Sequence, residues 1–227
     1  MSKRFEEAKK KLNKDTAYSL EEAVTICKGT AGTKFDESVE LAMKLGVDPK
    51  QSDQQIRGTV ILPHGSGKTK RVAAFVEPAN EAAAKEAGAD IIGTEEVINE
   101  IIQKGTIDFD VAVATPSMMP KLAKAARVLG PRGLMPNPKT DTVGPNVAKM
   151  IEEQKGGKIS FKTDATSNVH VMFGKASFDE PKLADNLKTI VAAIKKAKPS
   201  SAKGIYIRSA SISCTMGPGV KIDTSSL

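Results

Sequence analysis

An α/β protein in two parts is what three features of this 227-residue sequence predict. Strand and helix patterns alternate from Arg71 to about Lys155. Two glycine-rich crossings, His64-Gly65-Ser66-Gly67-Lys68 and Gln154-Lys155-Gly156-Gly157-Lys158, bracket that stretch, and segments outside it read as strands with one apolar and one polar face. A self-contained unit entered and left through glycines has the pattern of an insertion. Residues 1–68 and 157–227 are therefore expected to close into one discontinuous α+β domain, with a Rossmann-like α/β domain inserted at 69–156. On pattern alone, three consecutive segments fit the same strings.

The N-terminal stretch reads as two helices, the second opening at Ser19 with Glu22 three residues on, the spacing of a capping box. The period then changes to two. Val39, Leu41, Met43 and Leu45 alternate with Ser38, Glu40, Ala42 and Lys44, which predicts a strand with one buried face. A second strand runs from Ile56 to Leu62. In the middle stretch, strands at 72–76, 91–92 and 109–114 alternate with helices at 81–87, 95–103, 118–128 and 147–153, the order of a mostly parallel sheet with short connections. After Gly157 come strands at 158–162 and 169–173. A helix follows with Leu183, Leu187, Ile190, Val191 and Ile194 on one side. The last strand spans 205–216. Ser209, Ser211, Ser213 and Thr215 fall on one face and Ala210, Ile212, Cys214 and Met216 on the other, so its open face offers hydroxyls.

Composition narrows the partner. Hydrophobic residues make up 40% and charged residues 27%, with a mean hydropathy of −0.26, as expected of a soluble globular chain. No apolar run approaches the roughly 18 residues that span a bilayer. Met1-Ser2-Lys3-Arg4, followed by Phe5-Glu6-Glu7, offers no apolar signal core, so a cytosolic protein away from membranes is expected. The only cysteines, Cys27 and Cys214, read as free buried thiols. Net charge is +7 and the isoelectric point near 9.3, which points to an anionic partner. The excess is uneven: residues 1–69 carry +2, 70–157 carry −1 and 158–227 carry +6. Within the neutral middle, Lys121, Lys124, Arg127, Arg132 and Lys139 lie in a run from 111 to 140 without a single acid.

Catalytic patterns fail one by one. Gly67-Lys68-Thr69 resembles the end of a phosphate-binding loop, but the first motif glycine would fall at Leu62, and a strand, not a helix, follows. A nucleotide or phosphate-ester enzyme using Lys68 is the alternative this leaves. His64 and His170 stand more than a hundred residues apart with no metal-ligand or nucleophile spacing near either. Nine aromatics without tryptophan do not suit base stacking across adjacent strands. What remains is a basic, hydroxyl-bearing sheet fit for phosphate and 2′-OH contacts, with no cofactor implied.

Two loops carry more. Leu122–Lys139, LAKAARVLGPRGLMPNPK, and the Thr215-Met216-Gly217-Pro218-Gly219 turn, together with Lys34–Lys68, resemble in order the large-subunit ribosomal protein family called L-one. The resemblance covers nearly the whole chain. It implies a discontinuous domain that grips large-subunit rRNA, an insertion joined by a two-strand hinge, and a mobile side stalk that helps exit-site tRNA leave. It also implies translational repression by binding the mRNA of the protein's own operon, a cytoplasmic ribosomal location, and a monomer when off the ribosome. By motif, the implied RNA contacts are Lys34, Phe35, Glu40, Lys44, Asp164, Thr166, Ser209, Thr215, Met216 and Gly217, with the hinge at Gly65, Gly67, Gly156 and Gly157. The acid-free run, Lys121 to Lys139, is the candidate for a second contact with nucleic acid, tRNA being the expected one.

Overall fold

The computed structural model describes residues 3–13, 16–225 and 227; Met1 and Ser2, which open the stretch tested for a signal segment, lie outside the described residues. The chain begins with α1 (Lys3–Lys10), α2 (Leu20–Thr30), β1 (Ser38–Leu45) and β2 (Arg57–Ile61). The middle contains β3 (Val72–Phe75), α3 (Glu81–Glu86), β4 (Ile91–Ile92), α4 (Glu95–Lys104), β5 (Val111–Ala114), α5 (Met119–Leu122), α6 (Ala126–Leu129) and α7 (Val147–Lys155). It closes with β6 (Lys158–Lys162), β7 (Asn168–Lys175), α8 (Glu180–Lys196), β8 (Ile207–Cys214) and β9 (Val220–Ile222). Two compact units result, one of Met1–Gly67 with Ile159–Leu227 and one of Lys68–Lys158. These bounds differ slightly from those expected. Lys68 belongs with the insertion, where its ammonium meets Asp110 at 3.5 Å, and so does Lys158, buried and paired with Glu153 at 2.8 Å.

In the discontinuous unit, α2 starts where Ser19 accepts the Glu22 N–H and Glu22 accepts the Ser19 N–H, a reciprocal cap of about 0.5–2 kcal/mol. The Ser19 hydroxyl and then its N–H hold the Glu22 carboxyl below its ordinary range. Four antiparallel strands run in the order β7-β1-β8-β9. The period of two in β1 turns Val39, Leu41, Met43 and Leu45 to one side, where they share a core with Val171, Phe173, Ile212 and Ile222 of the neighbouring strands. Helices α2 and α8 cover that side through Val24, Cys27, Leu187 and Ile190, leaving the opposite face of the sheet bare. Cys27 and Cys214 are free and buried with their sulfurs 3.5 Å apart; the contact with Cys214 and burial push the Cys27 thiol up, so it stays protonated. Strands β2 and β6 form a separate two-stranded sheet.

The insertion is a three-layer sandwich around a parallel sheet, β4-β3-β5. Alternate residues of β3 face opposite layers: Ala73 and Phe75 pack with Ile98, Ile101, Leu122 and Leu129, while Val72 and Ala74 pack with Ala84, Val147 and Ile151. Gly93 has no substitute, because a Cβ there would lie 2.0 Å from the Phe75 ring.

Three elements differ most from expectation. The helix expected at 118–128 is broken into α5 and α6 by 3-10 turns at Pro116–Met118 and Ala123–Ala125, where i to i+3 bonds such as Ala126 N–H to the Ala123 carbonyl tighten the coil. The last long strand stops short at both ends: near 205 because β1, its partner, ends at Leu45 opposite Ile207 with a register slip past Arg208, and near 216 because the Gly217 N–H turns back onto the Cys214 carbonyl. Strand β9 was not expected; it pairs Val220–Ile222 with Ala210–Ile212 at the sheet edge. Among the described residues no helix is long and apolar enough to cross a membrane.

Leu41 is fully buried on the central strand, so Leu41→Ala is expected to cost about 2–5 kcal/mol, read as a lower urea midpoint at unchanged slope.

Candidate nucleic-acid interface

The bare face is a grid fixed by strand register. Glu40 lies between Met172 and Ser213, Ala42 between His170 and Ser211, and Lys44 between Asn168 and Ser209, while Lys221 of β9 extends the middle row beyond Ser211. Side chains in register share a face, so hydroxyls, two lysines and a histidine stand together on one open surface. Of the expected contacts, Glu40, Lys44 and Ser209 belong to this grid. His170, Met172 and Lys221 join it although they are not among the expected contacts; their phase along β7 and β9 was visible, but not which strands would pair.

The remaining expected residues form clusters at the two ends of β1, about 20 Å apart along an extended strand. At the far end, the Lys44 ammonium donates to the Thr166 carbonyl at 2.7 Å. Asp164 organises this loop: it accepts the N–H groups of Asn168 at 2.7 Å and Thr166 at 2.8 Å, and the Thr166 hydroxyl at 2.9 Å. The Asn168 N–H is the largest influence on its carboxyl; burial opposes it, and the Thr166 donors add to the Asn168 bond, so the carboxyl stays below the ordinary range. Asp164 is thus an anion whose acceptor capacity is directed inward, which shapes the loop that presents Thr166 and Lys44.

At the near end, Lys34 and Phe35 are exposed on the loop before β1, and Met216 on the turn after β8; Phe35 and Met216 keep 55% and 52% of their surface. Thr215 is exposed and also structural: its hydroxyl accepts the Ser38 N–H at 2.9 Å and faces the Ser38 carbonyl at 3.2 Å, which docks the turn onto β1. Gly217 closes the turn with its N–H on the Cys214 carbonyl at 3.0 Å, and a Cβ there would press on Thr30 and Cys214.

One residue missed by sequence reasoning joins loop and turn. Glu37 is 2% exposed. Its Oε1 accepts the N–H groups of Gly32 at 3.1 Å and Thr33 at 3.2 Å and the Thr33 hydroxyl at 2.9 Å, while its Oε2 accepts the Met216 N–H at 3.0 Å. Burial pushes this carboxyl up, but the hydrogen bonds, led by Met216, outweigh burial and leave it below its ordinary range. A signal for it existed: the buried odd phase of β1, extended back one step, lands on an acid.

The other candidates lie apart. Gly65, Gly67 and Gly157 adopt left-handed backbone, with φ of 65°, 71° and 96°, whereas Gly156 ends α7 at φ −69°. Lys121, Lys124, Arg127, Arg132 and Lys139 are all exposed on the insertion. The run is free of acids in sequence but not in space: Glu95, at the start of α4, meets Lys121 at 2.5 Å, and its carboxyl is lowered first by that hydrogen bond. Lys68 leads into β3 and pairs with Asp110, so no helix N-terminus stands over it. Among the described residues no group of His, Cys, Asp and Glu could hold a metal ion.

These features define a two-unit α/β protein whose discontinuous unit bears an open polar sheet tipped by exposed apolar side chains. The chain belongs to the ribosomal protein L1p/L10e family, whose model matches residues 27–218. Two relatives, from Corynebacterium glutamicum strains R and ATCC 13032, each described as large ribosomal subunit protein uL1, are 53% identical over 223 residues, which is 98% of this chain and 94% of each relative.

Because the folded Asp164 carboxyl titrates below its unfolded value, its hold on the loop is complete above the ordinary carboxylate range and is lost as pH falls through the lowered value. The Thr166 and Asn168 amide resonances should move together in that acid window, and Asp164→Asn should abolish the titration.

Proposed function

We propose that this protein is a non-catalytic constituent of the large ribosomal subunit whose discontinuous unit binds large-subunit rRNA through the open face of β7-β1-β8-β9. The observation that carries the reading is the register grid: Ser209, Ser211 and Ser213 stand opposite Lys44, Ala42 and Glu40, with Phe35 and Met216 exposed at one end of the same sheet. Hydroxyls and a histidine suit ribose 2′-OH groups, the ammoniums of Lys34, Lys44 and Lys221 suit phosphates, and Phe35 and Met216 offer apolar surface to an unstacked base or ribose. Family membership and the description of the relatives as large-subunit proteins support the same partner.

The finer activities proposed here rest on the resemblance to the family. The insertion, turning about the glycines at 65, 67, 156 and 157, meets exit-site tRNA through the face of Lys121, Lys124, Arg127, Arg132 and Lys139 and assists its release. The rRNA-binding face also takes a similar fold in the protein's own operon mRNA and represses its translation. The protein acts in the cytoplasm on the ribosome and is a monomer when free of it.

Phe35→Ala or Met216→Ala is expected to weaken binding to a large-subunit rRNA fragment by about 1–3 kcal/mol with thermal unfolding unchanged. Filter binding at wild-type affinity would place the RNA elsewhere. Binding of the wild-type protein should also weaken with salt, log K falling by roughly 0.7–0.9 per phosphate neutralised, and Lys44→Ala should flatten that slope by about one phosphate.

A further inference from the structure

We infer that Glu37 is a positioning residue of the RNA site: its buried carboxylate, without touching RNA, sets the Phe35 loop against the Met216 turn. The inference rests on the RNA-binding reading above. Glu37 continues the core phase of β1 one step before the strand begins, and it is 2% exposed, where a lone carboxylate is costly to bury. Its side-chain bonds do not serve the sheet. They go to Gly32 and Thr33 on one side and to Met216 on the other. The sheet has its own fastenings, the β1–β8 ladder from Val39↔Cys214 onward and the Thr215 N–H on the Ser38 carbonyl at 3.0 Å. The Phe35 loop is tied to the same hub, because the Thr33 hydroxyl that faces Glu37 also lies 2.9 Å from the Phe35 carbonyl. The carboxylate therefore fixes where two exposed apolar tips stand, and it does so with donors on both oxygens.

That last point makes the glutamine variant informative. In Glu37→Gln the shape is kept, but one oxygen becomes an NH2 group. If the remaining oxygen faces Gly32 and Thr33, the NH2 meets the Met216 N–H donor to donor; flipped, it meets two N–H groups. Only the carboxylate satisfies both sides at once.

The test uses the full chain and a transcript of the large-subunit rRNA segment that the wild-type protein protects. Wild type, Glu37→Gln, Met216→Ala and their double variant are compared by affinity, by thermal unfolding and by hydrogen exchange at the Met216 amide. Glu37→Gln should weaken binding by about tenfold, the scale of one hydrogen bond to a charged group, and should speed exchange at Met216 with little change in the unfolding midpoint. In the Met216→Ala background the same substitution should cost much less, because the tip it positions is gone. Wild-type affinity for Glu37→Gln, or losses that simply multiply in the double variant, would overturn the inference. Should Glu37→Gln fail to fold, Thr33→Val decides: it removes one donor from an accessible loop and should weaken binding several-fold, and unaltered affinity refutes the role. If Phe35→Ala and Met216→Ala themselves bind like wild type, the RNA reading has failed, and exchange at the Met216 amide still reports whether Glu37 holds the turn.

Discussion

Everything in the discontinuous unit depends on β1 having a neighbour on both sides. Residues 38–45 pair with β7 and with β8, both of which lie beyond the insertion in sequence. A strand with only one partner could slide by a residue and turn its polar side chains inward; a strand clamped between two antiparallel ladders, with Leu41 and Met43 fully buried, cannot. The same clamp brings the two ends of the chain together. It does so at modest entropic cost, because closing a loop grows only logarithmically with its length, by about 0.6 kcal/mol per doubling. An insertion the size of Lys68–Lys158 is thus tolerable between β2 and β6, provided it folds around a core of its own, and the alternate residues of β3 give it one on each face of its sheet.

Period-two alternation and capping chemistry are local, and they were legible. Ser19 and Glu22 announce α2, the odd residues 39–45 announce a half-buried strand, and the hydroxyls at 209, 211 and 213 announce an open face. What the sequence hid depends on partners far away in it. Strand β9 is three residues behind a Gly-Pro-Gly turn, too short to show a period, and it exists because β8 offers an edge. The helix expected at 118–128 had the right apolar spacing, but that spacing does not distinguish an α-helix from a chain of short turns that buries the same Leu122, Ala125 and Leu129. Lys121 looked solitary until α4 brought Glu95 to it.

The candidate site divides in the same way. Of the residues the resemblance proposes, Lys34, Phe35, Glu40, Ser209 and Met216 are exposed and Lys44 is half-buried. Thr215 and Asp164 were named by the same resemblance, yet their side chains are engaged within the protein, one docking a turn and the other shaping a loop. Sequence similarity marks a residue as needed at a site without separating those that touch from those that place. Hydrogen-bond partners add that Thr215 and Asp164, themselves exposed, also hold a turn and a loop in place.

That frame of hydrogen bonds also bears on why the face proposed to meet a polyanion has acids at its two ends. A carboxylate repels phosphate through whatever charge and lone pairs it leaves facing solvent. Glu37 is buried and accepts from both sides, and Asp164 is surrounded by the N–H and hydroxyl donors of its own loop, so each meets its negative charge with local dipoles before any ligand arrives. Their lowered titration is the energetic record of that arrangement: the donors favour the charged form more than burial opposes it. Lys44, meanwhile, donates to a carbonyl and not to a carboxylate, so its full positive charge stays available on the face. The +7 of the chain is therefore a poor guide to this surface taken as a sum. What this sheet offers a ligand depends on which charges the fold already satisfies: Glu37 is buried and Asp164, though exposed, is met by donors of its own loop, while Glu40 and the lysines keep their charge on the surface.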